Sequence, residues 1–330
     1  MIVKPSALGD VAHSLPFLDV MVKRFPDARI DWVIAKGLEG VLENHPLIER
    51  LWVIDKGKWK KIFNISDTIR ELRTLFRDLA DQEYDLVVDL QGLLRSAVIA
   101  HYSRAKVSVG FSDAREGAPF FYTHKIKGGK DIHAVDRYLK IAQYLGCDIG
   151  TVNFAMPNFD PNPQILKLLP EKYFVMAPSA MAEAKRWQPE RFGQLASILP
   201  YESIIIGTNH DIPLANEVLD HAKDNARSLC GMTNLSELMA VIKNAVLCIT
   251  NDTGPMHIAA ALNTPVAAIF GPTNPIRTGP YGLNNIIIQK DLPCVPCYKR
   301  KKCNNQTCMD TLTVNDVRDA IYSSPKFGLP

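Results

Sequence analysis

The sequence lacks several features that would assign it to a class directly. No apolar run reaches the roughly 18 residues that a membrane span needs, and nothing near the first residue resembles a signal peptide. Neither GxGxxG nor GxxxxGK[ST] occurs, so a dinucleotide-dependent dehydrogenase and a P-loop enzyme lose their main support. Charge of one sign is not in excess either, because the net charge is only +3. We therefore expect a cytoplasmic globular protein that binds no nucleic acid.

Cysteine is sparse except in one segment. Four of the seven cysteines fall in CVPCYKRKKCNNQTC, namely Cys294, Cys297, Cys303 and Cys308. Four thiolates at this density can hold zinc tetrahedrally, but the irregular spacing lacks the paired CxxC…CxxC of a zinc ribbon. We predict a structural loop, either reduced or disulfide-linked, with a zinc site as the alternative.

The chain does contain a repeated order of strand followed by helix. Apolar runs such as YDLVVDL and AVLCITN alternate with amphipathic runs that predict helices, such as DTIRELRTLFRDLADQ, PLANEVLDHAKDNA and NLSELMAVIKNA. This alternation predicts an α/β fold with parallel sheets that helices cover on both faces. A proline- and asparagine-rich break near 155–165 divides the pattern, so we predict two doubly wound domains, 1–157 and 158–330. Ligands of such sheets bind at the carboxyl ends of the strands.

The predicted second domain contains the segment LCITNDTGPMHIAAALNTPVAAIFGPTNP. A buried strand ends at Thr250, and a helix follows Asp252, Thr253 and Gly254, with His257 in its first turns. The free N–H groups at a helix start bind phosphate anions. The alternative is structural: Asp252 as a helix N-cap and His257 as an interior histidine. GPTNP adds a second polar turn, and the two turns together favour a nucleoside diphosphate site.

Two charged residues elsewhere in the sequence also follow predicted strands. Lys185 follows a predicted strand in PSAMAEAKRWQPERF and would neutralise a phosphate there; alternatively it packs along Trp187. Asp10 lies on a glycine turn in KPSALGDVAHSLPFL, between a short strand and a helix. Taken alone, Asp10 is interpreted as a helix N-cap.

Three segments together resemble glycosyltransferase family 9, the bacterial lipopolysaccharide heptosyltransferases: KPSALGDVAHSLPFL, KRWQPERF and NDTGPMHIAAALNTPVAAIFGPTNP. They occur in the family's order, and the resemblance covers nearly the whole chain. It implies a GT-B fold, in which two Rossmann-like domains face a central cleft. The acceptor is then expected on 1–157 and the nucleotide sugar on 158–330.

The segments YDLVVDLQGLLRSAVIA, GFSDAREGAPFFYTHKI and HAVDRYLKIAQYLG resemble the type I enzymes of this family. That resemblance implies transfer of heptose from ADP-L-glycero-D-manno-heptose to the Kdo region of lipid A, with inversion and without a cofactor. AKRWQP is close to the type II pattern, so a type II or other transfer onto a core sugar stays open. A nucleotide-sugar epimerase is the alternative from another class.

The resemblance also implies roles for individual residues. Asp10 corresponds to the general base, which removes the proton of the acceptor hydroxyl. Asn209 stands where the type I donor site has an acidic residue that grips the ribose. The expected donor-binding residues are Ser179, Lys185, Asn209, Asp252, Thr253, Gly254 and His257. The expected acceptor-binding residues are Lys4, His13, Lys58, Lys60, Lys61, Arg115, His133 and Arg137.

The expected partners follow from these roles. They are ADP-heptose, an anionic Kdo–lipid A acceptor and the inner face of the cytoplasmic membrane, to which the protein would attach peripherally as a monomer. Lys58, Lys60 and Lys61 surround Trp59, a combination suited to an anionic interface. For each lysine alone, a solvated surface charge is the alternative.

Overall fold

The computed structural model describes residues 1–57, 65–129, 131–159, 161–298 and 306–328. The chain divides into two compact units, Met1–Asn158 and Phe159–Pro330. Each unit contains a six-stranded sheet in which the paired strands run parallel. The α/β class expected from the alternation of strands and helices is therefore confirmed.

The sheet of the first unit has the strand order β3-β2-β1-β4-β5-β6. Its strands are β1 (Ile2–Val3), β2 (Asp31–Ala35), β3 (Arg50–Ile54), β4 (Leu86–Asp89), β5 (Val107–Phe111) and β6 (His124–Ile126). Its helices are α1 (Leu8–Arg24), α2 (Ile65–Ala80), α3 (Leu94–Tyr102) and α4 (Ala134–Tyr144). Since β1 and β4 are neighbours, the loops that follow them leave the sheet side by side at its carboxyl edge.

The sheet of the second unit has the order β12-β11-β10-β7-β8-β9. Its strands are β7 (Tyr173–Ala177), β8 (Glu202–Ile205), β9 (Ala226–Ser228), β10 (Leu247–Asn251), β11 (Val266–Phe270) and β12 (Asn285–Gln289). Its helices are α5 (Pro163–Lys167), α6 (Pro189–Ala196), α7 (Ile212–Asp220), α8 (Leu235–Lys243), α9 (Gly254–Ala261), α10 (Pro275–Thr278), α11 (Thr307–Asp310) and α12 (Val314–Tyr322). The first and fourth strands of the unit, β7 and β10, are again neighbours.

The central strands are apolar because helices cover both faces of each sheet. Every residue of β2, β7, β10 and β11 is buried. Among the largest fully buried side chains are Trp32 in the first unit and Trp187 in the second. The indole N–H of Trp187 donates to the Leu312 carbonyl at 2.8 Å, which ties the turn before α6 to the segment before α12.

One helix prediction was too long. The run PLANEVLDHAKDNA was expected to be helical throughout, but α7 ends at Asp220 and β9 begins at Ala226. Lys223 and Asp224 between them have φ values of 49° and 63°, a left-handed conformation that a helix does not allow. In the described part of the chain, no helix is long and apolar enough to cross a membrane.

Candidate active site

In the first unit, Asp10 lies in the first turn of α1. The helix begins at Leu8, so Asp10 is its third residue, and the expected placement on a glycine turn before the helix is wrong. Ala7 is the N-cap residue, which also rules out Asp10 as the N-cap. Instead, Asp10 Oδ2 accepts a hydrogen bond from the Ala7 N–H at 3.1 Å, as the third helical residue of a capping box does. The Asp10 side chain is 41% exposed.

Lys4 supplies a buried positive charge beside Asp10. Its Nζ lies 4.0 Å from Asp10 Oδ2, 3.4 Å from the Leu90 carbonyl oxygen and 5.0 Å from the centroid of the Tyr138 ring. Burial alone would lower the pKa of Lys4, but Asp10, Tyr138 and Asp89 outweigh it and raise this pKa above its ordinary value. Lys4 therefore remains an ammonium. Because only 3% of its side chain is exposed, this ammonium is shielded from solvent and lies beside the Asp10 carboxylate.

Two predicted acceptor histidines lie next to this pair. His13 follows Asp10 by one turn of α1 and is buried. His133 is the N-cap residue of α4, where its Nδ1 accepts from the Val135 N–H at 3.2 Å. The two imidazole rings meet edge to face, with their centroids 4.9 Å apart. The structure thus brings four of the residues predicted from the sequence together: Lys4, Asp10, His13 and His133.

The predicted acceptor-binding arginines differ in their surroundings. The Arg137 guanidinium pairs with Asp113 at 2.9 Å and lies 4.1 Å from the centroid of the Phe111 ring, so its charge is already matched within the unit. Burial alone would raise the pKa of Asp113, but Arg137 and two backbone N–H groups lower it. Arg115 is exposed, and no described carboxylate lies within ion-pair distance of it. Lys58, Lys60 and Lys61 lie outside the described residues.

In the second unit, Lys185, Asp252 and Thr273 form a connected group. Lys185 ends a short 3-10 turn after β7, and its Nζ lies 2.6 Å from Asp252 Oδ2. The Thr273 hydroxyl donates to the same oxygen at 2.7 Å. Asp252 follows β10 and Thr273 follows β11, so three loops at one edge of the sheet meet. Only 5% of the Asp252 side chain is exposed, against 25% of the Lys185 side chain.

The start of α9 lies directly beside this group. Thr253 is its N-cap residue and Gly254 its first helical residue, so the alternative that made Asp252 the N-cap is wrong. The N–H groups at this end carry the positive end of the helix dipole. His257 lies in the first turns of the same helix and is buried. The Lys185 ammonium and a helix N-terminus are therefore neighbours, as a phosphate site requires.

Two amide side chains that the sequence analysis missed fix these loops. Asn251, the last residue of β10, accepts from the Trp187 N–H at 3.1 Å and donates to the Pro178 carbonyl at 2.7 Å. Gln289, the last residue of β12, donates to the carbonyls of Gly271 and Thr273, both at 2.9 Å. A polar amide at the end of an apolar strand was the available signal, because a buried amide requires partners.

The remaining predicted donor residues lie on the loops after β7 and β8. The Ser179 hydroxyl donates to Asp211 Oδ1 at 2.5 Å, and Thr208 donates to Asp211 Oδ2 through its N–H and its hydroxyl, both at 2.8 Å. Burial alone would raise the pKa of Asp211, but these hydrogen bonds lower it. The Asn209 side chain lies against Gly231, where an added Cβ would fall 1.8 Å from its Oδ1. Asp211, two residues after Asn209, is an acidic residue of this loop that the sequence analysis missed.

Comparisons with known proteins agree with this geometry. Residues 72–308 match the model of glycosyltransferase family 9 (heptosyltransferase). The chain belongs to this family. It is therefore a glycosyltransferase, and the resemblance read from the three motifs is confirmed. Lipopolysaccharide heptosyltransferase 1 of Pseudomonas aeruginosa is 30% identical over 96% of this chain and 91% of its own length. Lipopolysaccharide heptosyltransferase 1 of Escherichia coli K12 is 29% identical over 87% of this chain and 92% of its own length.

Two solved structures of a heptosyltransferase share the fold of this chain. Escherichia coli heptosyltransferase WaaC with ADP superposes with a TM-score of 0.80 at 26% identity, covering 97% of this chain and 98% of WaaC. The structure of WaaC with ADP-2-deoxy-2-fluoro heptose superposes with a TM-score of 0.78 at 25% identity, again covering 97% of this chain and 98% of WaaC. The GT-B fold class is thus confirmed, and membership of a transferase family disfavours the epimerase alternative.

The structure describes only part of the cysteine-rich loop. Cys294 and Cys297 are exposed, while Cys308 is buried and packs in the hydrophobic core of the second unit. Cys303 lies outside the described residues. No group of histidine, cysteine and carboxylate side chains suited to a metal occurs in the described ranges. The roles of the site residues named here, and of this loop, stay predictions.

Proposed function

We propose that this chain transfers a heptose from ADP-L-glycero-D-manno-heptose to the Kdo region of lipid A, with inversion at the anomeric carbon. The names of its relatives support this proposal: lipopolysaccharide heptosyltransferase 1 of Pseudomonas aeruginosa at 30% identity, and WaaC solved with ADP. The observation that carries the proposal is the placement of Asp10, a half-exposed carboxylate held beside the buried Lys4 ammonium.

Asp10 acts as the general base. A sugar hydroxyl is a poor nucleophile, and removal of its proton during attack lowers the barrier. The Ala7 N–H and the Lys4 ammonium both face Asp10 Oδ2, which leaves Oδ1 to accept the proton. Because the displacement is a single in-line step, the configuration at the anomeric carbon inverts. His13 and His133 contact the acceptor beside this carboxylate.

The second unit binds the donor. Departure of ADP leaves negative charge on the β-phosphate, and preorganised positive groups stabilise that charge as it develops. Lys185 presents a partly exposed ammonium, and the N–H groups of Thr253 and Gly254 add the end of the α9 dipole. Asp252 holds Lys185 in place, and Asp252 and His257 contact the heptose of the donor. Ser179 and Asn209 bind the nucleoside together with Asp211.

The acceptor side is cationic and faces a membrane. Kdo carboxylates and lipid A phosphates are anions, and Arg115 is an exposed guanidinium that attracts them. Lys58, Lys60 and Lys61 add charge next to Trp59 in the sequence. Basic side chains around an aromatic ring favour attachment to an anionic surface. The protein therefore attaches peripherally to the inner face of the cytoplasmic membrane.

An assay of ADP release tests the reaction and the transfer step. We expect release from ADP-heptose only when Kdo–lipid A is present, and no release with an acceptor that already carries the first heptose. NMR of the product should show an anomeric configuration opposite to that of the donor. Release only with the heptosylated acceptor would instead assign a type II step. Conversion of ADP-heptose without any acceptor would overturn the transferase proposal.

A further inference from the structure

The linker from β1 to α1 sets the position of Asp10. It comprises residues 4–7, and each of them makes a hydrogen bond. The Lys4 carbonyl accepts from the Trp32 indole N–H at 3.3 Å, and the Pro5 carbonyl accepts from the Ala35 N–H at 3.0 Å. Both of these bonds come from the β2 side of the linker.

On the β4 side, the side chain of Gln91 holds the backbone of the linker. The Ser6 N–H donates to Gln91 Oε1 at 3.2 Å. The next residue, Ala7, donates to Asp10 itself. Gln91 is therefore one peptide unit away from the residue that binds the Asp10 carboxylate, and its amide oxygen fixes the direction of the Ser6 peptide.

Gln91 belongs to a turn that is itself rigidly anchored. Asp89, the last residue of β4, is fully buried, and its Oδ1 accepts from the N–H groups of Gln91 at 2.8 Å and Gly92 at 3.0 Å. Its other oxygen accepts from the Tyr122 hydroxyl at 2.6 Å. The carbonyl of Leu90 in the same turn accepts from Lys4 Nζ. One turn thus contacts both the ammonium beside Asp10 and the linker that leads to it.

From this arrangement we propose that Gln91 is a positioning residue for the general base. It acts through Ser6 and the linker to hold the carboxylate where the acceptor hydroxyl needs it. The inference rests on the proposed role of Asp10. Misplacement of a reacting group by about 1 Å can cost up to roughly 10²-fold in rate, so loss of this one hydrogen bond is expected to matter for kcat.

Two substitutions remove the contact in different ways. Gln91→Met keeps the length of the side chain but removes the oxygen, and Gln91→Asn keeps the amide but withdraws its oxygen by one methylene. We expect each to lower kcat about tenfold, with the KM for ADP-heptose and the binding of ADP unchanged. Gln82→Met is the matched control, because Gln82 lies at the amino edge of the same sheet and pairs with Arg50; it should keep the wild-type kcat.

The decisive measurement repeats Gln91→Met in an Asp10→Asn background. If Gln91 acts through Asp10, the second substitution lowers the residual kcat no further, because residues that act as a unit are not additive. A further tenfold loss in that background would overturn the inference, as would a wild-type kcat for Gln91→Asn in the parent enzyme. A wild-type kcat for Asp10→Asn alone would instead refute Asp10 as the base, so the two failures are distinguishable.

Discussion

Each of the two units holds a lysine–aspartate pair at the carboxyl edge of its sheet, and the two pairs are opposite in burial. In the first unit the lysine is buried and the carboxylate is open: 3% of Lys4 and 41% of Asp10 are exposed, with 4.0 Å between the charged atoms. In the second unit the carboxylate is buried and the ammonium is more open: 5% of Asp252 and 25% of Lys185 are exposed, at 2.6 Å.

The strand order places the lysine of each pair beside the loop that follows the fourth strand of its unit. In each unit the first and fourth strands are neighbours, and the lysine follows the first strand. Lys4 reaches the carbonyl of Leu90 after β4, and Lys185 reaches Asp252 after β10. The buried member of a pair fixes the other in place, so the first unit presents an anion, which we propose accepts a proton, and the second presents a cation, which we propose binds a phosphate.

The largest expected effect comes from removing the anion that the first unit presents. Asp10→Asn should lower kcat by about 10²–10⁴, since that is the contribution of a positioned general base. ADP binding, measured by calorimetry, should not change. Asp19→Asn on the same helix is the control, because Asp19 pairs with Lys23 one turn further along that helix. A kcat within about threefold of wild type would remove Asp10 from the mechanism.

The next effect comes from removing the cation that the second unit presents. Lys185→Met should weaken ADP binding by about 10- to 150-fold, which corresponds to the roughly 1.5–3 kcal/mol of a hydrogen bond to a charged group. Calorimetric titration without acceptor measures it directly. Lys290→Met, which removes the lysine of an exposed pair with Asp316, should bind ADP as the wild type does. Equal affinities for all three proteins would place the diphosphate away from Lys185.

Much of this arrangement follows from the sequence, and what does not has physical reasons. The buried strands were predicted because continuous apolar runs report burial on both faces. The edge strands β6 and β9 were missed because they have only three residues and carry no such run, and β12 was missed because its run of three isoleucines is short. Motif spacing brought Lys185 and Asp252 to one edge of the sheet. It could not reveal that they bind each other, since a contact across 67 residues depends on the packing of two loops.

The site of the first unit shows the same limit. The sequence placed Lys4, Asp10 and His13 near one another because they share one segment. The anchoring of that segment by Gln91 and the Asp89 turn was not predictable, since the pairing of β1 with β4 is a property of the folded sheet. Glycine at position 9 suggested a turn before the helix, but the capping bond from Ala7 to Asp10 lets the helix start at Leu8.

The opposite burial of the two pairs predicts opposite effects on stability. Lys4→Met removes a buried charge and leaves a solvated carboxylate, so the free energy of unfolding should stay within about 1 kcal/mol of wild type or rise. Lys185→Met leaves the buried Asp252 carboxylate with the Thr273 hydroxyl as its remaining partner. This substitution should lower the free energy of unfolding by about 2 kcal/mol. Urea unfolding of both variants checks this, with Lys290→Met as the exposed-pair control. Equal losses for Lys4 and Lys185 would contradict the comparison.

The smallest effect concerns Asp211, whose pKa the second unit lowers through hydrogen bonds from Ser179 and Thr208. A carboxyl group with a lowered folded-state pKa stabilises the protein above its unfolded-state pKa of about 3.9, and this contribution is lost as the pH falls through the folded-state value. Ser179→Ala should therefore lower Tm by up to about 3 °C at neutral pH, and this difference should shrink as the pH falls through the lowered folded-state pKa of Asp211. Ser197→Ala removes a hydroxyl that donates to the Gln194 carbonyl, which does not titrate, so its Tm difference should be independent of pH. A Ser179→Ala difference that stays constant from neutral to acidic pH would show that Ser179 does not stabilise the ionised form of Asp211.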